Sequence, residues 1–323
     1  MTIAALTPGV PVPLHSTPPK PFPTPTHHRY HSQMPALESR LRSIRAHDDG
    51  IDSWRMADVA PPPLLAGLID GYSDYAERTG SFTTRRELPH AQGVMIVNLG
   101  APVAITGGDG REIALRASEA FVAGPHLRPD LSRSPGSQAG LHIFLPLASL
   151  RRLVGVPMDR LIDQVVPLDA LLGREASGLC AALLDAVDMA ARIALLDAAL
   201  LSRFAAAPAL SGAQRHALAL LRDRPDLDVA EVARTIGWSR KHLANRVQDA
   251  VGVGPRCWRR LLRFERLVAG LADAPAAGLA GLAFDAGYCD QSHMIREFRE
   301  FAGLTPSAYL ARALADGGGL VEA

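Results

Sequence analysis

The chain has 323 residues, enough for two domains with real cores, and a formal net charge of +1, which excludes a globally basic nucleic-acid coat while leaving local patches open. Its three cysteines, Cys180, Cys257 and Cys289, form no C-x-x-C pair, which argues against a disulfide framework or a zinc knuckle. No apolar run reaches the roughly 18 residues of a membrane span, and the Met1 region lacks the basic start and apolar stretch of a signal peptide, so the expected location is the reducing cytoplasm.

Residues 1–50 read as a disordered Pro-rich tail. The stretch "TPGVPVPLHSTPPKPFPTPTHHRYHSQ" is crowded with proline, which fixes φ and removes backbone donors, and is poor in large aliphatics. His27, His28 and His31 have metal-ligating chemistry but no second cluster to complete a site, and Met34 is a second candidate start. Residues 54–206 read as one domain. "PPPLLAGLIDGYSDYAE" is expected as a short helix or extended cover, and "GVMIVNLG", "PVAIT", "AFVAG" and "LHIFLPL" have strand length and composition. "GGDG" at 107–110 predicts a hairpin, since glycine and Asp tolerate the positive φ of such turns. From Ala148 the apolar beat turns helical, and "LCAALLDAVDMAARIALLDAALLSRF" repeats apolar residues at steps of three and four. These helices are expected to pack on the sheet or on a second subunit. "APALSG" then brings a proline, a glycine and a potential capping serine, which marks the boundary.

The last third reads helix by helix. Asp228 is expected to cap a helix over Val229 to Ile236, Gly237 to end it in the left-handed conformation, and Ser239 to cap a second helix with Leu243, Val247, Ala250 and Val251 inward. That is a helix-turn-helix. A second copy follows, in which Leu279, Leu282 and Ala283 repeat Val229, Val232 and Ala233, and Gly287-Tyr288 repeats Gly237-Trp238. Phe298 takes the role of Val247 with one residue inserted, and "GLTPSAYL" restates "GVGPRCWR". Between the copies runs a helix from Pro255 to Ala272 carrying Arg256, Arg259, Arg260, Arg263 and Arg266, a local basic charge where a duplex would lie.

These features, over about residues 211–312, resemble the AraC/XylS-type bacterial transcription regulators. The resemblance implies two recognition helices set into successive major grooves, which recur about every 34 Å. It places groove-facing positions at Arg240, Lys241 and Asn245 in the first recognition helix and at Asp290, Gln291, Ser292, His293 and Arg296 in the second. Arg296 suits a bidentate contact to guanine, and Gln291 or Asn245 to adenine. Ser239, Arg240 and the linker arginines, Arg259 and Arg260 among them, are expected to hold phosphates. Val247 departs from the usual phenylalanine, which implies a slightly looser first core.

The 54–206 region resembles the sensory front domains of actinobacterial regulators of this class, through "RRELPHAQGVMIVNLG", "AFVAGPH" and "GLHIFLPLASLRRLVGVPMDRLIDQVVPLDALLG". In the wider family such domains are cupin-like barrels that bind a small molecule or mediate dimerisation. The expected fold class is therefore α+β: a β-rich cupin-like N-terminal sensory domain with trailing helices, then an all-α C-terminal domain with two helix-turn-helix motifs on a linker helix, and a flexible tail over 313–323. Arg86, Asn98, His126 and His142 are the polar candidates for a ligand pocket. Double-stranded promoter DNA, RNA polymerase, a small-molecule effector and a second copy of the chain are the implied partners, with no cofactor and no metal. A metal-dependent cupin enzyme fused to a DNA-targeting module is the alternative, against which stands the absence of an H-x-H ligand pair or a catalytic fingerprint. A ligand-free dimerising module is the third reading.

Overall fold

The computed structural model describes residues 36–81, 83–273, 279–314 and 319–322; His27, His28, His31 and Met34 lie outside them. The N-terminal part opens with strands β1 (Leu41–Asp48), β2 (Ser53–Val59), β3 (Gly71–Arg78), β4 (Thr84–Glu87) and β5 (Gln92–Asn98). It continues with β6 (Val103–Thr106), β7 (Glu112–Leu115), β8 (Glu119–Ala123), β9 (Asp130–Arg133) and β10 (Ser137–Pro146). Helix α1 (Leu147–Val154), strand β11 (Val165–Pro167) and helices α2 (Leu168–Leu172), α3 (Arg174–Asp185) and α4 (Met189–Ala206) complete it. The C-terminal part consists of α5 (Gly212–Asp223), α6 (Val229–Ile236), α7 (Arg240–Val251), α8 (Pro255–Asp273), α9 (Leu279–Ala286), α10 (Gln291–Ala302), α11 (Pro306–Leu310) and a short strand β12 (Leu320–Val321).

Two antiparallel sheets face each other. One runs β1-β2-β3-β10-β5-β8-β11 and the other β12-β4-β9-β6-β7. Strand alternation divides the larger sheet cleanly. Met95 and Val97 of β5 and Leu141, Ile143 and Leu145 of β10 are buried on the face that packs under the helices. Val94, Ile96 and Asn98, with His142 and Phe144, point the other way, into the space between the sheets. The "GGDG" hairpin forms as expected: β6 pairs β7, Gly110 takes φ +83°, and its N–H donates to Gly107 O at 2.8 Å.

Four expectations are corrected. Residues 1–50 are not tail throughout, because β1 pairs with β2 and Arg40 is buried. Arg40 donates to fully buried Asp197 of α4 at 2.7 and 3.2 Å, and the Tyr72 hydroxyl donates to the same carboxylate at 2.6 Å. β1 lies at the sheet edge with most residues exposed, so it carries no apolar alternation to betray it. "PPPLLAGLIDGYSDYAE" holds the short helix expected, a single 3-10 turn at Pro63–Leu65, but its second half is no cover: it is β3, which sits between β2 and β10 in the sheet. The long helical run of the trailing region is interrupted by β11 and divided between α3 and α4, with Asp188 capping α4 through Ala191 N. Finally, 313–323 is not all loose tail: Leu320 and Val321 pair with Arg86 and Arg85 of β4.

The helical part forms where the caps require it. Ser211 makes a capping box with Gln214, and Asp228 one with Glu231. Its core is continuous with that of the front part. α7 packs against α1 and the turn at Met158–Leu161, burying Val247, Ala250 and Val251 with Leu153, Val154 and Met158. Arg151 of α1 also pairs with Asp249 of α7 at 2.9 Å.

Candidate functional site

The two helix-turn-helix units are built from the same local chemistry. Gly237 and Gly287 take φ +75° and +91°, the left-handed conformation that stops a helix without a Cβ clash. The next residue then turns its N–H back: Trp238 N donates to Ala233 O and Tyr288 N to Ala283 O, each at 2.8 Å. Ala233 and Ala283 are both buried, small enough for the helices to cross closely. Ser239 caps α7 by accepting from His242 N at 3.1 Å, and Asp290 caps α10 by accepting from His293 N at 2.7 Å. Each third residue is a histidine standing edge-on to the turn aromatic, His242 on Trp238 at 4.7 Å and His293 on Tyr288 at 5.3 Å.

From these caps the expected groove residues fall into register. Arg240, Lys241 and Asn245 are exposed on α7, and Gln291, Ser292 and Arg296 on α10. Asn245 and Arg296 occupy the same offset from their caps. Two expected positions are assigned differently. Asp290 spends its carboxylate on the helix cap, and His293 is half-buried against Tyr288, 3.9 Å from Glu297. Arg246 and Arg299 are also exposed on these helices, and their positive charge beside the groove positions is visible in the sequence.

The linker arginines are corrected further. Arg259 is not available for phosphates: its guanidinium donates to the carbonyls of Leu221, Arg224 and Leu227, closing the end of α5. Arg260 donates to Glu297 at 2.8 Å and Glu300 at 2.5 Å and lies over the Phe301 ring. Arg263 reaches Glu297 at 2.9 Å and covers Tyr288. Burial pushes the Glu297 carboxyl up, but Arg263 and Arg260 outweigh it and hold it below its ordinary value. These bonds fix α10 on α8. Arg256 and Arg266 are the exposed linker arginines.

Between the sheets lies a cavity of about 740 Å³. The helical part contributes to its wall: Glu265, Val268 and Ala269 of α8 and Tyr309 of α11 line it beside front-domain residues. Of the expected pocket residues, Asn98 and His142 line it, whereas Arg86 and His126 do not. On β4, alternation sends Arg85 and Glu87 inward and Arg86 outward, where it pairs with Glu322 at 2.5 Å. His126 is fully buried in the loop after β8, its Nε2 2.9 Å from Asp130. Asn98 donates to Ala101 O and Leu115 O and accepts from Gly100 N, so its role is also to hold a turn. His90, not among the expected residues, lies 5.7 Å from the His126 ring, and burial holds it down to about 4, with His126 adding to the shift.

Glu265 joins the candidate pocket residues from the helical part. It is the only acidic side chain between Arg256 and Arg266 in the Arg-rich helix, a signal visible in the sequence. One carboxylate oxygen accepts from Ala91 N at 2.5 Å across the domain junction. Burial pushes the carboxyl up to about 7, Asp70 adds to the shift, and Ala91 N and Arg266 oppose it. Among the described residues no group of three His, Cys, Asp or Glu side chains is arranged to hold a metal ion, and no helix is long and apolar enough to cross a membrane.

Residues 232–312 match a family described as a helix-turn-helix domain. No curated protein matches the chain. Among solved structures it is similar to ToxT from Vibrio cholerae, at 10% identity and TM-score 0.46, over 74% of this chain and 98% of that one. It is similar also to ToxT of strain SCE256 with an unsaturated fatty acid bound, at 12% identity and TM-score 0.43, over 86% and 99% of the two chains. The C-terminal domain of AraT, a response regulator from Geobacillus stearothermophilus, aligns at 20% identity and TM-score 0.30, over 32% of this chain and 88% of that one. Behind its β-rich front domain the chain thus carries a helix-turn-helix domain of the AraC type, matched over residues 232–312.

Proposed function

We propose that the protein is a sequence-specific transcription regulator that reads two successive major grooves of promoter DNA with α7 and α10 and is controlled by a small molecule held between its sheets. The observation that carries the DNA reading is the duplicated cap-and-turn geometry, which presents Asn245 and Arg296 at matching offsets on two exposed helix faces. Arg296 has the fork geometry for guanine O6 and N7, and Asn245 or Gln291 the donor–acceptor pair for adenine. Arg240, Lys241 and Arg256 supply exposed positive charge for phosphates, with Ser239 beside them as a hydroxyl donor. The cavity supports control because its wall includes the helix that carries both motifs. A molecule seated there bears on the front domain and on α8 together, and so shifts the population competent for DNA.

The experiment is selection of bound fragments from a random DNA pool by the full chain at a stated salt concentration. Two short conserved blocks about one helical turn apart are the expected result. Binding without sequence preference would overturn the paired-groove reading.

A further inference from the structure

We infer that the small molecule is an amphipathic organic cation, an ammonium or amidinium head on an apolar body, with its head at Glu265 on the linker helix. The inference rests on the reading of the cavity as the sensing site and adds the chemical class of its ligand.

The charges of the cavity point one way. Five carboxylates face it, those of Asp58, Glu77, Glu87, Asp130 and Glu265, against the two arginines Arg45 and Arg85. Both arginines are already engaged, Arg45 with Asp58 at 3.4 Å and Arg85 with Glu77 at 2.9 Å. Asp130 is held by His126 at 2.9 Å. A carboxylate ligand entering this space would compete with those pairs and would face a surplus of negative charge. Glu265 differs from the others in kind. It takes one backbone N–H from Ala91 and forms no ion pair among the described residues, yet it stands in the cavity wall. Its raised proton affinity is that of an acid without a counterion, and a cationic head supplies one.

The remaining walls suit the rest of such a molecule. Val94, Ile96, Val103, Ile105 and Met56 offer an apolar bed. Tyr75, Phe121 and Phe144 add aromatic rings, whose faces attract a cation electrostatically. The volume of about 740 Å³ lies within the range of roughly 300–1,000 Å³ that pockets for small ligands occupy. Because Glu265 and Ala91 join the two domains, a head bound at Glu265 acts on the contact that orients α8, and through α8 on both recognition helices.

The test uses the full chain and three probes of equal chain length, decylammonium, decanoate and decanol, below micelle-forming concentrations. Binding is measured by calorimetry at pH 8, on the wild type and on Glu265→Gln, whose side-chain carbonyl can still accept from Ala91 N. Decylammonium is expected to bind the wild type more tightly than decanol or decanoate, and about tenfold or more weakly to Glu265→Gln, with decanol unchanged between the two. The head-group comparison on the wild type needs no variant and stands if Glu265→Gln fails to fold. Decanoate binding more tightly than decylammonium would overturn the cation class while leaving the sensing cavity in place. Equal decylammonium affinity in both proteins would overturn the placement of the head. Binding of none of the three would overturn the ligand class and the sensing reading together.

Discussion

Arg296 and Asn245 sit at the same distance from their helix caps, and each projects from an exposed face, so each is expected to act at one base pair. Arg296→Ala should relax preference at a single position at a cost of about 1–3 kcal/mol, read by competition among sites altered one base at a time. The arginines of α8 divide by what their donors already hold. Arg256 is exposed, and Arg256→Ala should lower the slope of log affinity against log salt by about 1 while affecting all sequences alike. Arg260 is bonded to Glu297 and Glu300, so Arg260→Ala should leave that slope unchanged and reduce stability instead. Glu297 is the centre of that network and its side chain is 4% exposed. Glu297→Ala takes the carboxylate from Arg263 while Arg260 keeps Glu300, and should cost about 1–3 kcal/mol in urea unfolding. Since its folded carboxyl lies below the ordinary value, the stability it contributes is present above that ordinary value and is lost as pH falls through the lowered one.

At the scale of elements, α7 does more than carry the proposed groove residues. Its C-terminal end is buried on α1 and the turn at Met158–Leu161, so α7 is tied to the front domain as well as to α8, whereas α10 packs on α8, α9 and α11. Gly252, directly after α7, lies close against the front domain: a Cβ there would lie 2.6 Å from Pro125 Cγ and 2.9 Å from Met158 O, at a φ of +84°. Gly252→Ala therefore combines a clash with an unfavourable backbone, together about 1–3 kcal/mol or more. The expected outcome is a lower Tm with faster hydrogen exchange at 155–165 and at the end of α7, and unchanged exchange in α10. Equal loosening of α10 would contradict the separate anchoring of the two recognition helices.

Across the whole molecule, the domains meet through a continuous apolar core and through polar ties that include Glu265 to Ala91, Arg86 to Glu322 and Arg151 to Asp249. The Glu265 tie has a pH dependence whose sign is fixed by its shift. Its folded carboxyl is raised to about 7 from 4.5, so over that window the unfolded chain has released a proton that the folded one retains. Stability should fall as pH rises from about 5 to 7 and level off above it. Asp70 strengthens the shift, Arg266 weakens it, and His90, held down to about 4, stays neutral throughout. The proton affinity of His126 is raised instead, and comparison with Glu265→Gln removes its share. In differential scanning calorimetry across this window the variant should gain stability relative to the wild type as pH rises; a constant difference would mean that Glu265 does not titrate there.

Much of the helical part was legible because its determinants are local. Caps such as Asp228 and Ser239, glycines at the required turns, and the offset between the two copies act within a few residues and recur, so one copy corroborates the other. The strands with apolar alternation were legible for the same reason. What only the tertiary structure decided involves partners distant in the chain. β1 is held by an edge pairing and by the Arg40–Asp197 bond, β12 by pairing with β4, and neither carries an apolar pattern of its own. Likewise the sequence determined that α8 is basic, but which arginines face solvent depended on the carbonyls of α5 and on Glu297. It determined that Glu265 stands among arginines, and only the docking of α8 on the sheets turned that carboxylate into a cavity wall, because burial is a property of the assembled chain and is not encoded within any one segment.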